Sequence, residues 1–278
     1  MSLIIDDVFD CSGIFDSHAH YFDKRFESEA QGADAVLSER VFGRGVEGVI
    51  NVGTNNKNNR ICIEQAAEYE KMYAAVGIHP EDVAYCEKTP DKELEALYSF
   101  VDSDEKIRRD KIVAIGEIGL DYHYEGFDKE VQKYYFEKQL ELSLKVGLPV
   151  IIHDREAHGD CFETVLKYPD ARGVFHSFSG SPEMATELVR RGWYISFSGV
   201  LTFKNARKAV EVAEAVPMER ILIETDCPYL APHPFRGRIN HSGLMYLTAK
   251  RLAEIKGVSL DGIKKATLEN TRSLFQIK

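Results

Sequence analysis

Residues 13–20 read GIFDSHAH. An apolar start, Ile14 and Phe15, runs into Asp16, His18 and His20 at alternate positions. Side chains two apart on a β-strand project to the same face. The stretch therefore predicts a strand that ends in two imidazoles on one face, with Asp16 sharing that face. Seven more runs have β-branched or aromatic character: VEGVINVG (46–53), MYAAVGIHP (72–80), KIVAIGEIGL (111–120), GLPVIIH (147–153), ARGVFHSFSG (171–180), GWYISFSG (192–199) and RILIETD (220–226).

Longer amphipathic stretches separate the runs. Residues 58–71, 91–103, 128–147 and 181–192 have helical spacing, and 245–257 and 260–275 read as terminal helices. Gly147 is a stop for the third of these. Ser181 followed by Pro182 is a start signal for the fourth. Eight strand–helix units in 278 residues predict one α/β domain over 1–278, a (β/α)8 TIM barrel. A doubly wound open sheet would share the alternation, but no Gly-rich phosphate turn follows an early strand: GRGVEG (43–48) leads into a strand run and opens no helix, and no GxxxxGK[ST] is present.

Hydrophobic residues make up 44% and charged residues 29%, the balance of a globular protein with a large core. No apolar run reaches the ~20 residues of a membrane helix, and the first residues lack the pattern of a signal peptide. The five cysteines are scattered, with no CxxC pair. That argues for reduced thiols in the cytoplasm and against a disulfide framework or thiolate zinc site. A net charge of −10 argues against a broad duplex-DNA groove, though not against a small site where metals neutralise phosphate.

Polar exceptions gather where the strands end: His18, His20, His79, Glu117, His153, His176 and Asp226. In a TIM barrel these ends share one rim, where active sites are built. Buried ionisable groups are costly unless paired or metal-bound. Imidazole nitrogen and carboxylate oxygen suit divalent metals, and a carboxylate can bridge two ions. Two adjacent ions are a device for in-line displacement at phosphorus.

The segments FDSHAH (15–20), VGIHP (76–80), GEIGLDY (116–122), PVIIHDR (149–155), HSFSG (176–180), ISFSGVLTFK (195–204) and ETDCPYL (224–230) together resemble the TatD family of metal-dependent deoxyribonucleases, in family order. The resemblance implies two divalent ions, of Mg, Mn or Zn. His18 and His20 would bind one, with Asp226 as ligand or base. Glu117 would bridge to a second, completed by His153 and His176. It also implies 3′→5′ trimming of single-stranded DNA, with Asp226 and Glu117 catalytic. Asp16 is either a ligand or a partner orienting an imidazole.

His79, Arg155, Lys204, Arg236 and Arg238 are candidate substrate contacts, with His123, His233 and His241 as weaker cations. Tyr122, Tyr124 and Phe127 are placed to stack a base or simply to pack their loop. Asp121 reads as a loop cap. After Asn240 the family's Glu-Pro is replaced by His241 and Ser242, which puts that loop in question. A deacylase of mischarged tRNA, a small amide or lactone hydrolase, or a non-catalytic metal-binding barrel would use the same fold.

Overall fold

The computed structural model describes residues 8–83, 90–126 and 128–278. Its strands are β1 Phe15–Ala19, β2 Gly48–Val52, β3 Met72–Val76, β4 Ile112–Asp121, β5 Val150–Arg155, β6 Gly173–Phe175, β7 Tyr194–Phe197 and β8 Ile221–Ile223. Each lies parallel to the next, in sequence order. The ring closes at the seam of β1 and the segment after β8. There Ser17 Oγ donates to the Ile223 carbonyl at 3.0 Å. The amide of Asp226 donates to the His18 carbonyl at 2.9 Å, and that of His20 to the Cys227 carbonyl at 2.8 Å. The result is a nearly closed (β/α)8 barrel.

The helices are α1 Arg25–Glu29, α2 Ala33–Val36, α3 Asn56–Glu68, α4 Pro80–Val83, α5 Pro90–Tyr98, α6 Asp104–Arg109, α7 Lys129–Val146, α8 His158–Leu166, α9 Pro182–Arg190, α10 Arg207–Ala215, α11 Met245–Lys256 and α12 Leu260–Phe275. The start and stop signals act as expected. Asp128 accepts from the amides of Glu130 and Val131, Gly147 ends α7 at φ 70°, and Ser181 accepts from Met184. The sequence does not mark α8 and α10. Both begin behind an alanine, Ala157 and Ala206, with no capping side chain. Among the described residues no helix is long and apolar enough to cross a membrane.

Two apolar layers hold the barrel. The inner one takes residues from all eight strands, among them Phe15, Ile50, Ala75, Val113, Ile151, Val174, Tyr194 and Leu222. Leu274, Phe275 and Ile277 close its lower end. The outer layer packs strand residues such as Val49, Ala74 and Ile115 against helix residues such as Cys62, Phe136 and Leu140. Cys11, Cys62, Cys161 and Cys227 are buried and free; Cys86 and Phe127 lie outside the described residues.

The opening motif does not alternate strictly. Phe15 belongs to the inner layer and Ala19 to the outer, although their spacing should put them on one face. Pairing with β2 slips between Asp16 and Ala19, so the strand carries a bulge. Past the bulge, His18 and His20 point inward while Asp16 stays on the opposite face. Asp16 is thus neither a ligand nor a partner of an imidazole ring. Its Oδ1 accepts from the amides of His18 and Thr225 at 3.2 and 3.0 Å. Its Oδ2 accepts from the hydroxyls of Thr225 and Ser242 at 2.6 and 2.7 Å. Burial pushes its carboxyl up to about 7 even against these four donors.

These bonds fasten the seam. Asp16→Ala should strand several buried donors and cost roughly 3 kcal/mol or more. Urea unfolding of the chelated protein measures this, and a loss near zero would show that the seam holds without it.

Candidate metal centre

The six histidine and carboxylate side chains predicted as ligands converge above the inner apolar layer. Some sit off the strand ends. Glu117 lies within β4, which continues to Asp121, while His176 and Asp226 fall beyond β6 and β8 and His79 beyond β3. Two glycines fix Glu117 from either side. A Cβ on Gly77 would lie 2.9 Å from the Glu117 nitrogen, and one on Gly119 would lie 2.0 Å from the His153 carbonyl oxygen. Gly119 also has φ 142°, which L side chains avoid. The GEIG stretch thus brings β3, β4 and β5 together where Glu117 emerges.

Glu117 is 3% exposed, and its two oxygens face different groups. Oε2 lies 3.4 Å from His18 Nε2 and 3.5 Å from His20 Nε2. His18 and His20 Nε2 are 3.0 Å apart, and Asp226 Oδ1 is 3.3 Å from His20 and 3.8 Å from His18. Oε1 lies 2.8 Å from both His153 Nδ1 and His176 Nε2, which are themselves 3.2 Å apart. Donors held about 2.1 Å from one ion stand roughly 3.0–3.4 Å from each other. The cluster's spacings fit that, and its donor set is one a divalent ion accepts. Three overlapping triads qualify: His18, Glu117 and His176; His18, His20 and Asp226; His79, Glu117 and His153.

Outer hydrogen bonds aim the rings. His20 Nδ1 meets the Val52 carbonyl at 2.7 Å, which leaves Nε2 as the inward lone pair. His153 Nε2 meets Asp121 Oδ2 at 2.9 Å, and His176 Nδ1 meets Glu224 Oε1 at 3.1 Å. The sequence reading missed both carboxylates. Asp121 does cap its loop, accepting from the His123 amide, but its second oxygen orients His153. Glu224 alternates with Leu222 and Asp226 in an apolar run, a signal that marks it in retrospect. His79 differs from the others. Its Nδ1 accepts from the Glu81 amide at 3.1 Å, so its Nε2 carries the proton and is a donor, 3.5 Å from Glu117 Oε1.

The electrostatics follow from this packing. Burial would raise Glu117, but His176, His79 and His18 hold it well below the usual carboxylate range. Burial would likewise raise Asp226, and the His20 imidazole beside it lowers it. Burial disfavours the imidazolium of His153, yet Asp121 and Glu117 carry it up to about 9. Glu117 and Glu224 raise His176 against the same burial, and Asp226 raises His20. His18 is pushed down by burial and by His176.

A family model described as TatD related DNase matches residues 15–276. The chain belongs to the TatD family. It is 38% identical to the Bacillus subtilis protein named uncharacterized metal-dependent hydrolase YabD, over 95% of this chain and 99% of that one. It is 32% identical to the Escherichia coli K12 protein named uncharacterized metal-dependent hydrolase YcfH, over 95% and 96%. The crystal structure of the Escherichia coli TatD homologue YJJV superposes with a TM-score of 0.86 at 30% identity, covering 97% of this chain and all of that one. This is a barrel of the TatD family of metal-dependent hydrolases, with histidine and carboxylate groups that can hold metal.

The family view relocates the unusual Asn240–His241–Ser242 segment. All three are buried, and none is among the residues that line the cavity above the cluster. Asn240 donates to the carbonyls of Thr225 and Tyr229 at 2.9 and 2.7 Å. The Ser242 amide donates to Tyr21 Oη at 3.0 Å, a bond that proline cannot make. The segment props the chain beside Asp226, whose φ of 57° is left-handed. A non-glycine residue there costs about 1–2 kcal/mol, which the surrounding bonds offset.

A cavity of about 1010 Å³ opens above the cluster. Of the predicted contacts, His79, Tyr124 and Arg155 line it; Lys204, Arg236 and Arg238 do not. The guanidinium of Arg236 lies over the Phe203 ring and that of Arg238 over Phe235. His123 pairs with Glu156, and Tyr122 donates to Asp160. His233 is exposed and likewise not part of the lining. Lys208 and Tyr229, which the sequence did not single out, do line the cavity.

His153 provides a titration test. With a folded value near 9 against an ordinary 6.5, its protonation stabilises the chelated fold fully below pH 6.5 and is lost as pH rises through 9. Glu117, Asp121 and Asp226, held low, contribute above the ordinary carboxylate range and are lost in acid. Asp121→Asn should drop the His153 midpoint by more than one unit and shrink the alkaline limb. Histidine NMR of chelated protein reads this, and a midpoint still near 9 would contradict it.

Proposed function

We propose that the protein is a deoxyribonuclease that hydrolyses phosphodiester bonds of single-stranded DNA, as a single barrel domain over 1–278 acting in the cytoplasm. The observation that carries the reading is the division of Glu117's two oxygens between two sets of imidazoles. DNA as substrate is supported by the family, whose model is described as TatD related DNase. The 3′→5′ direction rests on the family resemblance alone.

In this reading His18, His20 and Asp226 would hold one divalent ion, His153 and His176 would hold a second, and Glu117 would contribute to both. Mg, Mn and Zn all suit such donors. When bound, the ions acidify a water and place positive charge beside the phosphoryl oxygens. The chain's own residues do the rest. Asp226, ionised at neutral pH, takes the proton of the attacking water as the new P–O bond forms, and returns it to the leaving nucleotide oxygen as the old P–O bond breaks. His79 donates its Nε2 proton to a non-bridging phosphate oxygen. Arg155 holds a neighbouring phosphate at the cavity mouth. Asp121 and Glu224 keep His153 and His176 turned inward. Lys204, Arg236 and Arg238 fall outside this site.

Chelated protein should be inactive on labelled single-stranded DNA and regain activity with Mg, Mn or Zn. Glu117→Ala and Asp226→Asn should each lose roughly 1000-fold or more in kcat/KM. Metal uptake should release protons and tighten as pH rises toward 9, because His153 must lose its proton. Full activity in either variant would overturn the residue assignment.

A further inference from the structure

Two exposed tyrosines stand at the cavity mouth. Tyr124 is 49% exposed and Tyr229 is 44% exposed, and both line the cavity. Tyr124 follows β4 and Tyr229 follows β8. Four strands apart in a ring of eight, the two loops lie across the barrel from one another, with the metal cluster between them. Large aromatic surface left open on opposite sides of a polar site has no packing explanation.

Each ring is held in a similar way. The Arg155 guanidinium carbon lies 5.2 Å from the Tyr124 centroid, and that of Arg25 lies 5.3 Å from the Tyr229 centroid. Tyr229 donates its hydroxyl to Asp23 Oδ2 at 2.7 Å. His123 meets Tyr124 edge-on at 4.9 Å. Both rings are therefore oriented, and each has a guanidinium over one face, which leaves the other face for a base. A flat π-face beside a guanidinium recognises a nucleobase together with its neighbouring phosphate.

We propose that Tyr124 and Tyr229 are two base-stacking platforms that receive the nucleotides on either side of the scissile phosphate. This rests on the phosphodiesterase reading above and names the element that selects single strands. Bases in a duplex are already stacked and paired, so neither platform can take one without opening the helix. Stacking on an aromatic ring tolerates every base, so the platforms confer strand selection without sequence selection.

The test pairs protein variants with abasic oligonucleotides. Tyr124→Leu and Tyr229→Leu should each raise KM for single-stranded DNA about 5- to 150-fold, with the larger effect on KM than on kcat. Tyr→Phe at either position should recover most of the loss, because the ring and not the hydroxyl does the stacking. Placing a tetrahydrofuran abasic unit on one side of the scissile bond should cost the native enzyme a similar factor. On that substrate the matching tyrosine variant should lose less than about twofold more. Equal penalties on intact and abasic strands, or none on either, would overturn the platforms while leaving the nuclease reading standing. Failure of the native, metal-loaded enzyme to cut any DNA would overturn both.

Discussion

A single buried carboxylate organises the site. Glu117 is buried at the floor of the cavity, where a lone charge is costly. It is kept ionised by imidazoles on both sides, His18 and His20 against one oxygen, His153 and His176 against the other. Three of those four rings are themselves held by something further out: the Val52 carbonyl for His20, Asp121 for His153, Glu224 for His176. The centre is a set of fixed donors, and the strands carrying them span the barrel.

That arrangement requires the barrel to close with the correct phase. β1 has to supply an inner apolar residue, Phe15, and then two inward imidazoles at positions of opposite parity. The bulge between Asp16 and Ala19 makes this possible. Asp16, left on the outer side, is used to fasten β1 to Thr225 and Ser242. The left-handed backbone of Asp226 is then held between pinned neighbours. One motif therefore supplies two candidate ligands on one face and, on the other, the clasp that pins the chain beside Asp226, a third.

Much of this was legible in the sequence. Strands of a parallel barrel are buried on both faces, so they read as apolar runs, and their polar ends stood out against that background. The TatD-like segments then gave the six side chains that converge. The bulge was not legible, because alternating residues look the same with or without a shift in pairing. Asp121 and Glu224 were passed over because each acts through another side chain from a different strand. Among the rim cations put forward by proximity to a strand end, Arg155 lines the cavity, whereas Arg236 and Arg238 lie over Phe203 and Phe235 outside its lining. The unmarked α8 and α10 lacked capping residues and owe their place to packing.

In the proposed site Glu117 stands between two cation positions. Anomalous diffraction from crystals grown with Mn or Zn tests it most directly. Two peaks are predicted, one beside Glu117 Oε2 against His18, His20 and Asp226, the other beside Oε1 against His153 and His176. A single peak, or peaks that do not touch Glu117, would contradict the account.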